Sequence, residues 1–171
     1  FVEFAAGFGS GTCVNIGRSR GVGDAQRMEE TLRAAAVVFQ ELADTAAPLG
    51  VRLVLEPVRR QEVNFIHSTL DGLAMARRVG RPNFGLMLDT YHMNLEDPDL
   101  FAALRQAAPY VWHMHFSDDN RCWPGSGSID FPRVVDVLIE IGFGQNNDLP
   151  AYVSTEIKPW PDPDSAARLP I

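Results

Sequence analysis

Four ionisable residues stand where an apolar run ends: Glu56 after Leu53-Val54-Leu55, Asp89 after Phe84 to Leu88, His115 near the end of Val111 to Phe116, and Glu156 after Val153-Ser154-Thr155. Any one of them alone reads as well as a strand-end polar group facing water. In succession they say more. If the apolar runs are neighbouring parallel strands, ~4.8 Å apart, their ends converge on one small volume. Three carboxylates and an imidazole would there repel and desolvate one another, a cost that a divalent cation removes. Ligation dominated by carboxylates with one histidine suits Mn²⁺, Mg²⁺ or Co²⁺, and Zn²⁺ less, because Zn²⁺ favours nitrogen and sulfur; ligand type does not choose among them.

The elements that would position these residues follow from the spacing of apolar side chains. Short runs rich in Val, Ile and Leu alternate with longer stretches in which apolar residues recur at three and four, the pattern of βα units on a parallel sheet. Strands are predicted at Thr12 to Ile16, Val51 to Leu55, Phe84 to Leu88, Val111 to Phe116 and Tyr152 to Ile157. Helices are predicted at Asp24 to Leu49, with Asp24 as N-cap and Met28, Leu32, Ala35, Val38, Phe39 and Leu42 inward, and at Ser68 to Val79, with Leu70, Leu73, Ala74 and Ala76 inward. Asp99 to Ala107 and Phe131 to Ile141 complete the set, and a proline-rich tail follows the last strand.

Such a chain is α/β, either doubly wound or part of a (β/α)8 TIM barrel. Polar residues at the ends of four consecutive strands are how a barrel builds its site. A complete barrel takes about 250 residues, and this chain has 171. The expectation is a single domain over residues 1–171 carrying about five C-terminal βα units, with some three N-terminal units outside the chain. Strands two to five should then lie parallel and adjacent, with an open edge at the first.

Composition excludes several function classes. The chain is 46% hydrophobic and 22% charged, which suits a folded domain with a real core. Its formal charge of -7 and pI near 5.0 argue against nucleic acid or an anionic membrane as partner. The longest apolar run, Ala34 to Phe39, is far shorter than the ~20 residues a membrane helix needs. Two cysteines, Cys13 and Cys122, make no disulfide framework, so a reducing cytoplasmic setting is the default. Gly7-Phe8-Gly9-Ser10-Gly11 lacks the strand before and helix after that a dinucleotide fingerprint needs. Arg18 and Arg20, past the first strand, are candidates for meeting an anionic group, and Met28, Met75, Met87 and Met93 read as core filler.

Three strings then carry a family resemblance: Leu55-Glu56-Pro57-Val58-Arg59-Arg60-Gln61-Glu62, Leu88-Asp89-Thr90-Tyr91-His92-Met93-Asn94, and His113-Met114-His115-Phe116-Ser117-Asp118 running on to Gly127. Residues 11 to 160 resemble strands four to eight of the xylose-isomerase-like TIM-barrel superfamily of sugar isomerases and epimerases. The likeness is strongest to its ketose 3-epimerases and keto-sugar-acid epimerases. The resemblance implies one divalent metal ion, Mn²⁺ first among Mn²⁺, Mg²⁺, Co²⁺ and Zn²⁺, held by Glu56, Asp89, His115 and Glu156. It implies a small-molecule sugar substrate, with Glu56 and Glu156 as the acid/base pair and Glu62, His92 and Arg121 as substrate-binding residues; a homo-oligomer is a further possibility. Chemistry agrees with that assignment. Inverting a carbon next to a carbonyl needs a proton taken from one face of an enediolate and returned to the other, hence two opposed bases. His92 is expected in the turn after the third strand, and Arg121 in a Gly/Pro-bounded loop where a guanidinium fork suits a hydroxyl or carboxylate. His113 is read as pointing away from His115, a structural residue, and Trp123 as a wall of the sugar site or a packing residue. Arg59 and His67 stand where the family often has asparagine, and the added positive charge favours an acidic sugar.

Other readings compete. An aldose-ketose isomerase of the hydroxypyruvate isomerase type would use the same metal and carboxylates on a different carbon, an inosose dehydratase is a third use of the site, and a non-catalytic sugar-binding fragment is a fourth. An abasic-site endonuclease on this barrel would show an Asp-x-His pair where this chain reads Gly127-Ser128-Ile129-Asp130-Phe131, and the net charge is wrong for DNA.

Overall fold

The computed structural model describes residues 1–9, 11–16, 27–145 and 150–158. The predicted N-cap Asp24, the candidate cations Arg18 and Arg20, and the proline-rich tail lie outside them. After a short helix α1 (Val2–Ala6), which the sequence did not signal, come β1 (Cys13–Asn15), α2 (Met28–Ala46), β2 (Arg52–Leu55), α3 (Thr69–Val79) and β3 (Phe84–Asp89). Next are α4 (Thr90–Glu96), α5 (Leu100–Ala107), β4 (Val111–Phe116), α6 (Phe131–Glu140) and β5 (Tyr152–Thr155). All five strands are parallel and pair in the order β1-β2-β3-β4-β5. This is an open half-barrel, with β1 and β5 as its edges among the described residues.

Alternation along each strand separates two faces. Leu53, Leu55, Leu86, Leu88, Val111 and Met114 point toward the helices and join the main core with Leu73, Ala76, Leu104 and Val134. On the other face Val54, Met87 and Trp112, with Cys13 against them, form a small apolar floor. Two residues further along the same strands stand Asn15, Glu56 and Asp89. Below the floor, buried Arg52 lays its guanidinium over Trp112, 5.1 Å from the ring centroid, and donates to the carbonyls of Gly11 and Pro150.

Between β3 and β4 the register shifts by one residue: Leu86 pairs with Val111, but Met87 pairs with His113 and Asp89 with His115. Trp112 is the residue slipped in. The irregularity re-aims β4, so that His115 comes level with Asp89. It also needs Gly85, where a Cβ would come within 2.6 Å of the indole.

The inward faces of two helices differ from expectation. On α2 the most buried residues are Ala36, Ala43 and Ala46, with Leu32, Ala35 and Phe39 packed against them, while Val38 and Leu42 are exposed. Small alanines bring this helix close to the layer beneath, which rotates the stripe away from the larger side chains. On α3, capped by reciprocal hydrogen bonds between Ser68 and Asp71, Gly72, Leu73, Met75, Ala76 and Val79 are buried, whereas Leu70 and Ala74 are exposed. Gly72 explains the shift: a Cβ there would lie 2.6 Å from Pro57 Cγ and 3.2 Å from Leu86 Cδ2. Gly72→Val is expected to cost about 1–3 kcal/mol through overpacking, read as a lower denaturation midpoint.

Candidate active site and its metal-binding cluster

At the C-terminal end of the sheet the four strand-end residues meet. One ligand atom from each of Glu56, Asp89, His115 and Glu156 lies within 4.8 Å of the others. His115 Nδ1 is 2.9 Å from Glu156 Oε2, 3.7 Å from Glu56 Oε1 and 3.8 Å from Asp89 Oδ2. Glu56 and Asp89 are buried, and Glu156 is about half exposed. Donors bound to one ion at ~2.0–2.6 Å stand up to about 5 Å apart, so the spacing fits a divalent cation, and three oxygens with one imidazole fit its chemistry.

Electrostatics state the same strain. Burial pushes the Glu56 carboxyl up to about 7, and the nearby Glu156 carboxylate adds to the rise. Burial likewise lifts Asp89 to about 6, against the pull of Arg121. Glu156 is held down at about 2, chiefly by its hydrogen bond with His115 and then by Arg121. Burial alone would lower His115, but the bond to Glu156 and the charges of Glu56 and Asp89 outweigh it, and its pKa is raised. A cluster that keeps protons because its charges cannot all be borne is one that a cation would deprotonate and bind.

A family model described as xylose isomerase-like TIM barrel matches residues 2–168. The chain belongs to that family. It is 34% identical over 118 residues to a ketose 3-epimerase of Arthrobacter globiformis, an alignment covering 69% of this chain and 41% of that protein. It is 36% identical over 114 residues to an L-ribulose 3-epimerase of Mesorhizobium japonicum, covering 67% and 38%. Among solved structures, a D-allulose 3-epimerase from Methylomonas sp. in complex with D-allulose superposes with a TM-score of 0.75 at 29% identity, over 91% of this chain and 54% of that one. The chain thus spans about half, or less, of the length of the proteins it matches.

Around the cluster of this family member, the residues expected to contact a substrate fall in distinct places. Arg121 does reach the site, where Nη1 donates to Asp89 Oδ2 at 2.5 Å and to Ser117 Oγ at 2.9 Å, and Nη2 lies 2.7 Å from Glu156 Oε2. Its fork is therefore engaged by two of the cluster's carboxylates. Glu62 is nearby, paired with Arg59 at 2.7 Å. His92 is not in a turn: it lies buried on α4, where its Nδ1 accepts from the Arg59 backbone N–H at 3.4 Å. Burial, followed by the Arg121 charge, lowers it to about 4, so it is neutral at pH 7. An open cavity of about 240 Å³ beside the cluster is lined by Arg59, Glu62, Tyr91, Arg121, Glu156 and Lys158, among others. His67 and Trp123 are not part of that lining.

His113 lies on the same side of β4 as His115, not the opposite one. Residues two apart on a strand share a face, and the two rings meet edge to face with centroids 5.1 Å apart. His113 Nε2 is 2.9 Å from Ser154 Oγ on β5. It therefore braces the cluster's imidazole from below.

Sequence reasoning missed the residues that hold the site in shape. Asn15 donates to Glu56 Oε2 at 3.2 Å; it is the polar end of β1 and obeys the same strand-end rule as the other four. Thr90 Oγ1 donates to the Ser117 carbonyl at 2.7 Å and accepts from the Ser117 N–H at 3.0 Å, pinning the start of α4 to the end of β4. Arg121 itself sits at φ 63°, a conformation that costs a non-glycine residue of order 1 kcal/mol or more. The loop enforces it through Asp118, fully buried, whose carboxylate accepts from the N–H groups of Asp119, Gly125 and Ile129. Asp118→Ala would orphan those donors and is expected to cost about 1–3 kcal/mol, with a matching loss of activity as Arg121 loses its place; thermal unfolding and turnover measured together test this.

Proposed function

We propose that the intact protein is a divalent-metal-dependent ketose epimerase, in which this chain is one domain supplying the C-terminal part of the barrel. The observation that carries the proposal is the convergence of Glu56, Asp89, His115 and Glu156 within 4.8 Å, in a chain similar to ketose 3-epimerases. These four residues would hold the metal, with Mn²⁺ the first choice. When bound, the ion supplies positive charge for the substrate's carbonyl and neighbouring hydroxyl oxygens.

The chain's own residues do the rest. Glu56 and Glu156 form the acid/base pair, one taking the proton from the carbon beside the carbonyl to leave an enediolate, the other returning a proton to the opposite face. Their environments push their proton affinities apart, Glu56 to about 7 and Glu156 to about 2, which supports distinct roles. Arg121 orients Asp89 and Glu156, and Glu62 with the neutral His92 completes the substrate surroundings. The partner is a small sugar. Neither the acidic surface nor any described helix, none of which is long and apolar enough to cross a membrane, favours nucleic acid or bilayer binding, and we place the protein in the cytoplasm, free to self-associate.

Incubating the Mn²⁺-loaded protein with ketoses and keto acids in D₂O tests this. Deuterium should enter at the carbon next to the carbonyl, and the epimer should appear in step with it. Exchange that yields an aldose would favour the isomerase reading. No exchange with any carbonyl sugar would end the proposal.

A further inference from the structure

We infer that Tyr91 is a positioning residue that locks the side chains facing the substrate onto the metal-binding cluster, its hydroxyl holding Glu62 through Arg59 and its ring holding Arg121. The inference deepens the ketose reading above and rests on it for the roles of Glu62 and Arg121.

Tyr91 stands two residues past Asp89 at the start of α4, where its N–H donates to Asp89 Oδ1 at 2.8 Å. Its ring is buried, yet it borders the cavity beside the cluster. Three neighbours meet there. Arg59 donates from Nη1 to the Tyr91 hydroxyl, lies with its guanidinium carbon 5.2 Å from the ring centroid, and holds Glu62 Oε1 from Nε at 2.7 Å. The guanidinium carbon of Arg121 lies 4.8 Å from the same centroid, while its nitrogens engage Asp89 and Glu156. The His92 ring meets Tyr91 edge to face, with centroids 5.2 Å apart.

The Arg59–Glu62 pair joins two side chains of one loop, both partly exposed, and pairs of that kind hold a geometry only weakly. The Tyr91 hydroxyl gives the pair an anchor on a different element. The backbone of the loop is secured separately, through the Arg59 N–H on His92 Nδ1 and through Arg60 on Glu96. The hydroxyl therefore fixes the Arg59 side chain rather than the fold of the loop. Two like charges also share one ring, held against their repulsion by its electron-rich face, an attraction that an aliphatic side chain of similar size would not supply.

Steady-state kinetics of the Mn²⁺-loaded intact protein, with the ketose that exchanges deuterium fastest, test this beside crystal structures of the variants. Tyr91→Phe keeps the ring and removes the hydroxyl: KM is expected to rise about tenfold with kcat nearly unchanged. Tyr91→Leu removes the ring as well and should lower kcat by at least about tenfold, because Arg121 then loses its place on Asp89 and Glu156. Arg59→Met should raise KM as Tyr91→Phe does, and the double variant should be no worse than Arg59→Met, since the hydroxyl acts only through that guanidinium. An unchanged KM in Tyr91→Phe, a kcat in Tyr91→Leu equal to that of Tyr91→Phe, or additive losses in the double variant would each overturn the inference. In the crystal, Tyr91→Phe should show Arg59 and Glu62 displaced and Arg121 in place. Should the unaltered protein turn over no carbonyl sugar, the ketose reading fails and the crystal structures decide alone: a displaced Glu62 upholds the positioning role, and an unmoved one ends it.

Discussion

Glu156→Gln in the intact protein should abolish epimerisation by several orders of magnitude while sugar binding largely survives. The carboxamide keeps the shape of the side chain but cannot accept or return a proton, and general acid/base groups each contribute about 10²–10⁴-fold. Glu156 also shares its Oε2 with His115 at 2.9 Å and with Arg121 at 2.7 Å, so the substitution would also weaken one of the four proposed metal ligands and free two cationic groups at once. Metal content must therefore be measured beside turnover. Glu56→Gln should be as damaging for the opposite face of the substrate. The distinguishing result lies in exchange: each variant with metal retained should lose exchange when started from one epimer before the other. Near-normal turnover in either variant with metal still bound would remove the two-base mechanism.

The second large effect is on stability. Glu56 and Asp89 have folded-state proton affinities raised by burial, to about 7 and about 6, from unfolded values near 4.5 and 3.8. A group whose pKa is raised on folding stabilises the fold below its unfolded value, and that contribution is lost as pH climbs to the folded one. His115, also raised, acts in the same direction at higher pH. Glu156, lowered to about 2, has the opposite sign, but its window lies below about pH 4.5 and does not interfere. Metal-free protein should therefore lose on the order of 2–3 kcal/mol between about pH 5 and pH 8. Added Mn²⁺ should restore it, with the larger gain at the higher pH, because the ion binds the deprotonated cluster. Denaturant titrations at several pH values, with chelator and with Mn²⁺, read both halves; a metal-free protein equally stable across that range would contradict this account of the cluster.

Much of the site was legible because its rule is local. A short apolar run followed at once by Glu or Asp marks both a strand and its candidate functional end; β2, β3 and β5 follow that rule, and in β4 His115 stands one residue before the end. Asn15 follows it too, but an uncharged amide gives no such signal. What escaped depended on packing. Helix α4 has seven residues, too few to show a period, and its N-cap is Asp89 itself, whose Oδ1 accepts from the Tyr91 N–H at 2.8 Å. A residue that reads as a strand end also starts a helix, which puts His92 on α4 and not in a turn. The faces of α2 and α3 rotated because Ala36, Ala43 and Gly72 permit close approach, a preference that hydropathy does not register. His113 was misplaced against the alternation rule, and the slip of Trp112 into β4, which sets both histidines level with Met87 and Asp89, has no sequence signature. Nor could the neutralisation of Arg59 by Glu62 be read from charge counting along the chain.

The central claim is that four strand ends make one metal site, and a titration of the metal-free intact protein with Mn²⁺, followed by the loss of the free-ion electron paramagnetic resonance signal, tests it most directly. The account predicts one tightly bound ion per chain in the unaltered protein and binding weakened by at least about 10–100-fold in Asp89→Asn, a variant that keeps the size of the side chain. An unaltered protein that leaves all the Mn²⁺ free, or an Asp89→Asn protein that binds it as tightly as the original, would contradict it.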